Sequence, residues 1–82
     1  MRVTVRLYGA LRRYRSAEAE GAAHQPFNIT VPAGETVADL GRRLGIPAGS
    51  LTTAAVNGEH AEGRTALADG DTVHFFPPAA GG

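Results

Sequence analysis

Cysteine is absent from this sequence of 82 residues, and so is lysine, because all eight basic residues are arginine. Without cysteine the chain can form no disulfide, no thiolate nucleophile and no cysteine-ligated metal site. Without lysine it has no side-chain amine for a Schiff base, for a P-loop or for an isopeptide bond. Only the N-terminal amine could accept an acyl group from another copy of the chain.

Net charge and long apolar runs are also missing. Eight basic residues balance eight acidic ones, so no charge excess favours nucleic acid or an anionic membrane as a partner. No stretch of about 18 apolar residues could span a bilayer. The first residues, Met1 to Val5, begin directly with a strand pattern rather than a signal peptide. We therefore expect a cytoplasmic protein that binds neither nucleic acid nor membrane.

The usual signatures of a catalytic centre are lacking too. There is no P-loop and no dinucleotide-binding glycine motif, and His24, His60 and His74 are not spaced as metal ligands. We expect no bound metal or cofactor and no enzymatic activity of the chain itself. Two acidic pairs are assigned to loop solvation and turn chemistry: Glu18 with Glu20, and Asp69 with Asp71.

Alternating apolar residues predict three strands: one near each end of the sequence and one between them. The pattern in 2–8 places Val3, Val5 and Leu7 on one face, and a similar alternation covers 27–31 and 72–76. With 43% apolar residues, such strands can form the compact core of a single small domain.

Local signals predict the remaining elements. A helix begins after Thr36 as N-cap, with Asp39 completing a weak capping box, and ends at Gly45 and Pro47. Val37, Leu40 and Leu44 form its buried stripe. A short helix is predicted at Ala10–Ser16 with Leu11 and Tyr14 facing the sheet, a mobile surface loop at Ser16–Pro26, and a hairpin turn at Asn57-Gly58.

The order of these elements predicts the topology. A strand pair is followed by a helix that crosses one face of the sheet, by short strands and by a last strand that pairs in parallel with the first. This is an α+β, ubiquitin-like β-grasp fold with a mixed sheet, which we assign to residues 1–76. Tyr8 and Phe76 should then be neighbours on the outer face, where exposed aromatics favour an interface.

Residues 77–82 are predicted to form an extended tail. Pro77 and Pro78 stop the strand, and the residues that follow, Ala79-Ala80-Gly81-Gly82, have no side chain larger than a methyl group. Such a tail could reach about 20 Å and enter a channel closed to larger residues. Ordering four of its residues would cost about 4–8 kcal/mol, which a separate docking surface must offset.

The sequence from Asp69 to Gly82, which includes Phe-Phe-Pro-Pro-Ala-Ala-Gly-Gly, resembles the end of the small subunit of molybdopterin synthase. Ala54-Ala55-Val56-Asn57 and the opening strand with Leu7-Tyr8 and Ala10-Leu11-Arg12 resemble the same family. Ala79 stands where a valine is more usual, and His60 where an apolar residue is common. The sulfur carrier of thiamine biosynthesis is similar in fold and in its Gly-Gly end but lacks the Phe-Pro-Pro segment.

The resemblance implies a sulfur carrier for the dithiolene of the molybdenum cofactor. An adenylating enzyme of the ubiquitin-activating type would use ATP on the Gly82 carboxylate, which then becomes a thiocarboxylate. The large synthase subunit would receive the tail, from Pro77 to Gly81, and contact the outer face. The interface residues implied by the family are Phe76, Tyr8 and His60. A ubiquitin-like protein modifier and a carrier for tRNA thiolation or thiamine biosynthesis remain alternatives.

Overall fold

The computed structural model describes residues 1–15, 21–22, 25–47 and 53–77. Its strands form one mixed sheet in the order β2-β1-β5-β3-β4. The parallel pair β1–β5 lies at the centre and the other pairs are antiparallel, as the β-grasp prediction requires. The elements are β1 (Arg2–Leu7), a 3₁₀ helix (Gly9–Tyr14), β2 (Phe27–Thr30), α1 (Val37–Arg43), β3 (Thr53–Val56), β4 (Glu59–Ala61) and β5 (Thr72–Phe76).

The core lies between one face of the sheet and α1. Val5, Val73 and Phe75 are fully buried, and Leu40 of α1 is equally inaccessible. The parallel register pairs Val5 with Val73 and Leu7 with Phe75. A slip of one residue would turn these side chains towards water, so burial of the inner face determines the register.

Helix α1 begins with the predicted capping box, here in its complete form. The Asp39 N–H donates to the Thr36 hydroxyl oxygen at 3.1 Å, and the Thr36 N–H donates to the Asp39 carboxylate at 3.1 Å. The first two helical N–H groups, those of Val37 and Ala38, donate to the carbonyls of Thr65 and Gly63. Gly45, with φ +85°, follows the helix, as predicted for a C-terminal glycine.

The first helical segment differs from the prediction. It is a 3₁₀ helix over Gly9–Tyr14 rather than a helix over Ala10–Ser16. Gly9 has φ +56° and turns the chain immediately after β1, and the Leu11 N–H donates to the Tyr8 carbonyl. The predicted inward face is confirmed, since Leu11 is buried and Tyr14 packs against the core.

Turn chemistry follows the sequence closely. Asn57 and Gly58 both have positive φ, 53° and 85°, and join β3 to β4 as predicted. The Asp69 carboxylate accepts the Arg2 N–H at 2.8 Å, and Asp71 accepts the Ala68 N–H at 2.8 Å, so both carboxylates serve the turn. In the predicted loop 16–26, residues 21, 22, 25 and 26 are exposed, and the others lie outside the described residues.

One ion pair with a buried carboxylate was not apparent from the sequence. Glu35 is only 5% exposed, and its carboxylate accepts two hydrogen bonds from the Arg43 guanidinium, at 2.7 and 3.1 Å. The pair lies on the helix side of the molecule. Within the described part of the chain, no helix is both long and apolar enough to cross a bilayer.

Candidate functional site

Three rings stack on the outer face of the sheet, where β1 and β5 end. The ring centroids of Tyr8 and Phe76 lie 4.6 Å apart with planes inclined by 12°. His74 stacks beside both, at 6.0 Å from Tyr8 and 6.4 Å from Phe76. We call Tyr8, His74 and Phe76 the aromatic cluster. The predicted proximity of Tyr8 and Phe76 is confirmed.

Strand register brings the cluster together. Because Leu7 pairs with Phe75 on the inner face, the next residue of each strand points outward. The Tyr8 N–H donates to the Phe75 carbonyl at 3.2 Å, which continues the parallel ladder one residue beyond β1. The cluster therefore rests on the central and most buried strand pair of the sheet.

The cluster is less exposed than the sequence predicts. Tyr8 and Phe76 are half-buried, and no large hydrophobic side chain among the described residues is fully exposed. Each ring covers part of the next, so the two aromatics predicted to be exposed are only partly accessible.

His74 is tied to Tyr8 by a hydrogen bond. The Tyr8 hydroxyl oxygen and His74 Nδ1 lie 3.0 Å apart. Burial lowers the pKa of His74, and the nearby positive charge of Arg6, its partner across the parallel strands, lowers it further. Both effects favour the neutral form of the imidazole.

The outer face beside the cluster carries basic side chains. Arg2 and Arg6 point outward from β1, and His60 stands on β4 in the same row as His74, with Ala55 between them. Two strand spacings place His60 about 10 Å from His74, so it shares the face but not the cluster. Among the described strand residues that point outward, none is a carboxylate, so Arg2 and Arg6 are the charged residues of that face.

The arginines near the 3₁₀ helix divide into two groups. Arg12 and Arg13 are exposed, whereas the Arg15 guanidinium lies 5.5 Å above the ring of Phe27. Arg15 also donates to the Gln25 carbonyl at 3.4 Å. It therefore holds the segment before β2, and only the other two remain available to a partner.

The tail begins beside the cluster. Pro77 follows β5 directly, is half-buried and packs against Gly9. The predicted sulfur-bearing residue Gly82 and the rest of the predicted insertion segment, Pro78 to Gly81, lie outside the described residues. The base of the tail is thus placed at the end of the sheet, against the first residue of the 3₁₀ helix.

A groove of about 280 Å³ lies between the start of α1 and β3–β4, and its lining includes His60 and Glu62 as well as Val37, Ala54 and Ala61. Among the residues that the structure describes, no three His, Asp or Glu side chains are grouped to hold a metal ion.

The family model described as the ThiS family matches residues 5–82, nearly the whole chain. The chain belongs to the ThiS family. The match includes the tail as well as the β-grasp domain, and the fold is that of the ubiquitin-like sulfur carriers. A search of curated proteins found no significant match.

Solved structures with the same fold include proteins of two kinds. Subunit 1 of a putative molybdopterin converting factor from Pyrococcus furiosus is 24% identical to this ThiS-family chain, with coverage of 95% and 98% and a TM-score of 0.66. One chain in the complex of subunits 1 and 2 of molybdopterin-converting factor from Helicobacter pylori is 24% identical to this chain. Each of the two aligned chains is covered completely, and the TM-score is 0.59. Small archaeal modifier protein 1 of H. volcanii is 22% identical, with coverage of 95% and 98% and a TM-score of 0.69.

Proposed function

We propose that this protein is the sulfur-donor subunit of a molybdopterin synthase and carries sulfur as a thiocarboxylate on Gly82. The observation that supports this most directly is the junction of β5 and the tail. The strand ends in the aromatic cluster, and Pro77, which begins the last six residues of the sequence, follows it directly. The proposed docking surface and the proposed reactive end are therefore only a few residues apart in the sequence.

The chemistry follows from the properties of a carboxylate. Resonance makes it a poor electrophile, and its oxygen is a poor leaving group. An adenylating enzyme would join Gly82 to AMP and release pyrophosphate from ATP, which removes both obstacles. A sulfur donor then displaces AMP and leaves a thiocarboxylate, whose charged, soft sulfur is a good nucleophile.

The protein would itself supply no catalytic side chain. It would bring the sulfur into the active site of the large synthase subunit, where a pyranopterin precursor accepts it to build the dithiolene. Docking raises the effective concentration of the sulfur at that site. The aromatic cluster and the outward arginines would offset the free energy of ordering the tail, and we propose the face from Tyr8 and Phe76 to His60 as the contact.

The structural similarity to small archaeal modifier protein 1 keeps a second function in view. A ubiquitin-like modifier would use the same adenylation but join Gly82 to an amine of another protein. Carriers for tRNA thiolation or thiamine biosynthesis would share the thiocarboxylate. The Phe76-Pro77-Pro78 segment, which resembles the synthase subunit, favours the first function.

Intact mass spectrometry of the protein from its native cells tests the proposal. Replacement of one C-terminal oxygen by sulfur, together with co-purification of a large synthase subunit, is the expected result. Covalent adducts on other proteins without a thiocarboxylate would favour the modifier. Deletion of Gly82 is the control: the truncated chain should fold normally, form no thiocarboxylate and support no synthase turnover.

A further inference from the structure

The base of the tail rests on a residue without a side chain. A Cβ atom added to Gly9 would lie 3.0 Å from Cγ of Pro77, closer than an ordinary van der Waals contact. The Cδ and Cβ atoms of the same ring would be 3.8 and 3.9 Å away. The proline ring therefore occupies the space that a side chain at position 9 would need.

Gly9 meets two requirements at one position. Its φ of +56° lets the chain turn from β1 into the 3₁₀ helix directly after Tyr8. Four other glycines have φ between +85° and +88° and have no atom within 4 Å of an added Cβ: Gly34, Gly45, Gly58 and Gly70. The turn requirement is thus common in this chain, whereas the close approach to a tail residue distinguishes Gly9.

Pro77 is suited to such a contact. It has no N–H, so it cannot extend the sheet ladder, and its ring restricts φ to about −65°. The residue before it, Phe76, is held in the aromatic cluster, and the Pro77 ring itself lies against Gly9. Both neighbours restrict the first tail residue before any partner binds.

We propose that Gly9 is a positioning residue: its bare backbone seats Pro77 and sets the direction in which the tail leaves the domain. The inference rests on the proposed carrier function and adds the element that aims the reactive end. Five residues follow Pro77 and extend at most about 17 Å, so the position of Pro77 limits where the Gly82 carboxylate can meet ATP in another protein's active site.

We call the contact between the Gly9 backbone and the Pro77 ring the seat. Gly9→Ala tests the seat, with Gly34→Ala as its matched control. Both substitutions place an alanine at positive φ, but only the first pushes against Pro77. Position 34 has the larger φ, +88°, so the control carries at least as much backbone strain. A loss of stability alone would therefore appear in both variants.

Two measurements separate the seat from simple destabilisation. In NMR spectra, contacts between the Gly9 α-protons and the Pro77 ring should be present in the wild type, and Gly9→Ala should shift the Gly81 and Gly82 amide signals. In ATP–pyrophosphate exchange with the adenylating enzyme from the same organism, Gly9→Ala should raise KM about 5- to 30-fold, equivalent to losing the ordering of one residue, with kcat unchanged. Gly34→Ala should match the wild type in both.

A double-mutant cycle covers the case in which Gly9→Ala folds poorly. Pro77→Ala removes Cγ and Cδ and leaves only the Cβ atom, at 3.9 Å, so the alanine at position 9 fits in that background. Pro77→Ala should raise KM, and adding Gly9→Ala should raise it no further. Independent, multiplicative effects, or a wild-type KM for Gly9→Ala, would overturn the seat. A wild-type protein that the enzyme does not adenylate would instead overturn the carrier function.

Discussion

The two faces of the central strands β1 and β5 are built from alternate residues of the same segments, yet they serve different purposes. On the inner face, Val5, Val73 and Phe75 are fully buried against α1. On the outer face, the rings of Tyr8, His74 and Phe76 stack on one another and remain half-buried. Stability therefore depends chiefly on the inner face, whereas the outer face carries the surface that we propose for a partner.

The neighbouring phenylalanines give the largest contrast. Phe75→Ala should lower the free energy of unfolding by about 3–5 kcal/mol, because it leaves a cavity in the core. Phe76→Ala should lower it by only about 1 kcal/mol, the value of a stacked ring pair, yet weaken binding to the large synthase subunit strongly. Urea denaturation and a binding assay with that subunit measure the two effects. Equal losses of stability would contradict the division between faces.

A substitution in the capping box tests whether the stability of α1 can be reduced without an effect on docking. Thr36→Ala removes the hydroxyl that accepts the Asp39 N–H and should destabilise the protein by about 1 kcal/mol. Docking through the outer face should be unaffected once the protein is folded. Thr30→Ala, at an exposed position on β2, is the control for loss of a threonine hydroxyl. A docking defect in Thr36→Ala at temperatures where it is folded would contradict the expectation.

Removal of one hydroxyl group tests the cluster alone. Tyr8→Phe keeps the ring stack but abolishes the hydrogen bond to His74, and should cost about 0.5–1.5 kcal/mol of stability. The ring position of His74 should also become less defined, which NMR order parameters of the imidazole would detect. Tyr14→Phe, which removes a hydroxyl next to the core, should leave the imidazole unchanged. The prediction fails if both variants alter His74 alike.

The smallest expected effect is a dependence of stability on pH. Because the pKa of His74 is lower in the folded protein than the ordinary value of about 6.5, the unfolded chain binds this proton more readily. Stability should therefore fall as pH decreases through about 6.5 towards the folded pKa, and no further loss from this group should occur below it. His74→Gln should remove the step in denaturation curves measured between pH 7.5 and 5, whereas His60→Gln, at an exposed position, should retain it.

Much of the fold could be predicted from local patterns. The alternation in β1 and β5, the capping box at Thr36 and the Asn57-Gly58 turn each depend on residues close together in the chain, so their signals survive without tertiary information. The extent of the first helical segment was wrong because the choice between α and 3₁₀ depends on how the chain leaves β1 at Gly9. Packing rather than propensity decides such short segments.

The site was only partly predictable for a related reason. Alternation places His74 and Phe76 on the outer face, but the partnership of His74 with Tyr8 joins residues 66 positions apart and needs the parallel register. Local patterns likewise do not predict two other contacts, the ion pair of Glu35 with Arg43 and the contact of Gly9 with Pro77.

By itself, then, the sequence determined the strands, the capped helix, the turns and the ThiS-like Gly-Gly end, since each is specified by short-range sterics and hydrogen bonding. Three features were decided by the tertiary structure alone. The three outer rings stack on one another, burial favours the neutral form of His74, and Pro77 packs against Gly9. These features arise where the first and last strands of the domain pair, and only burial of the inner face aligns those strands residue by residue.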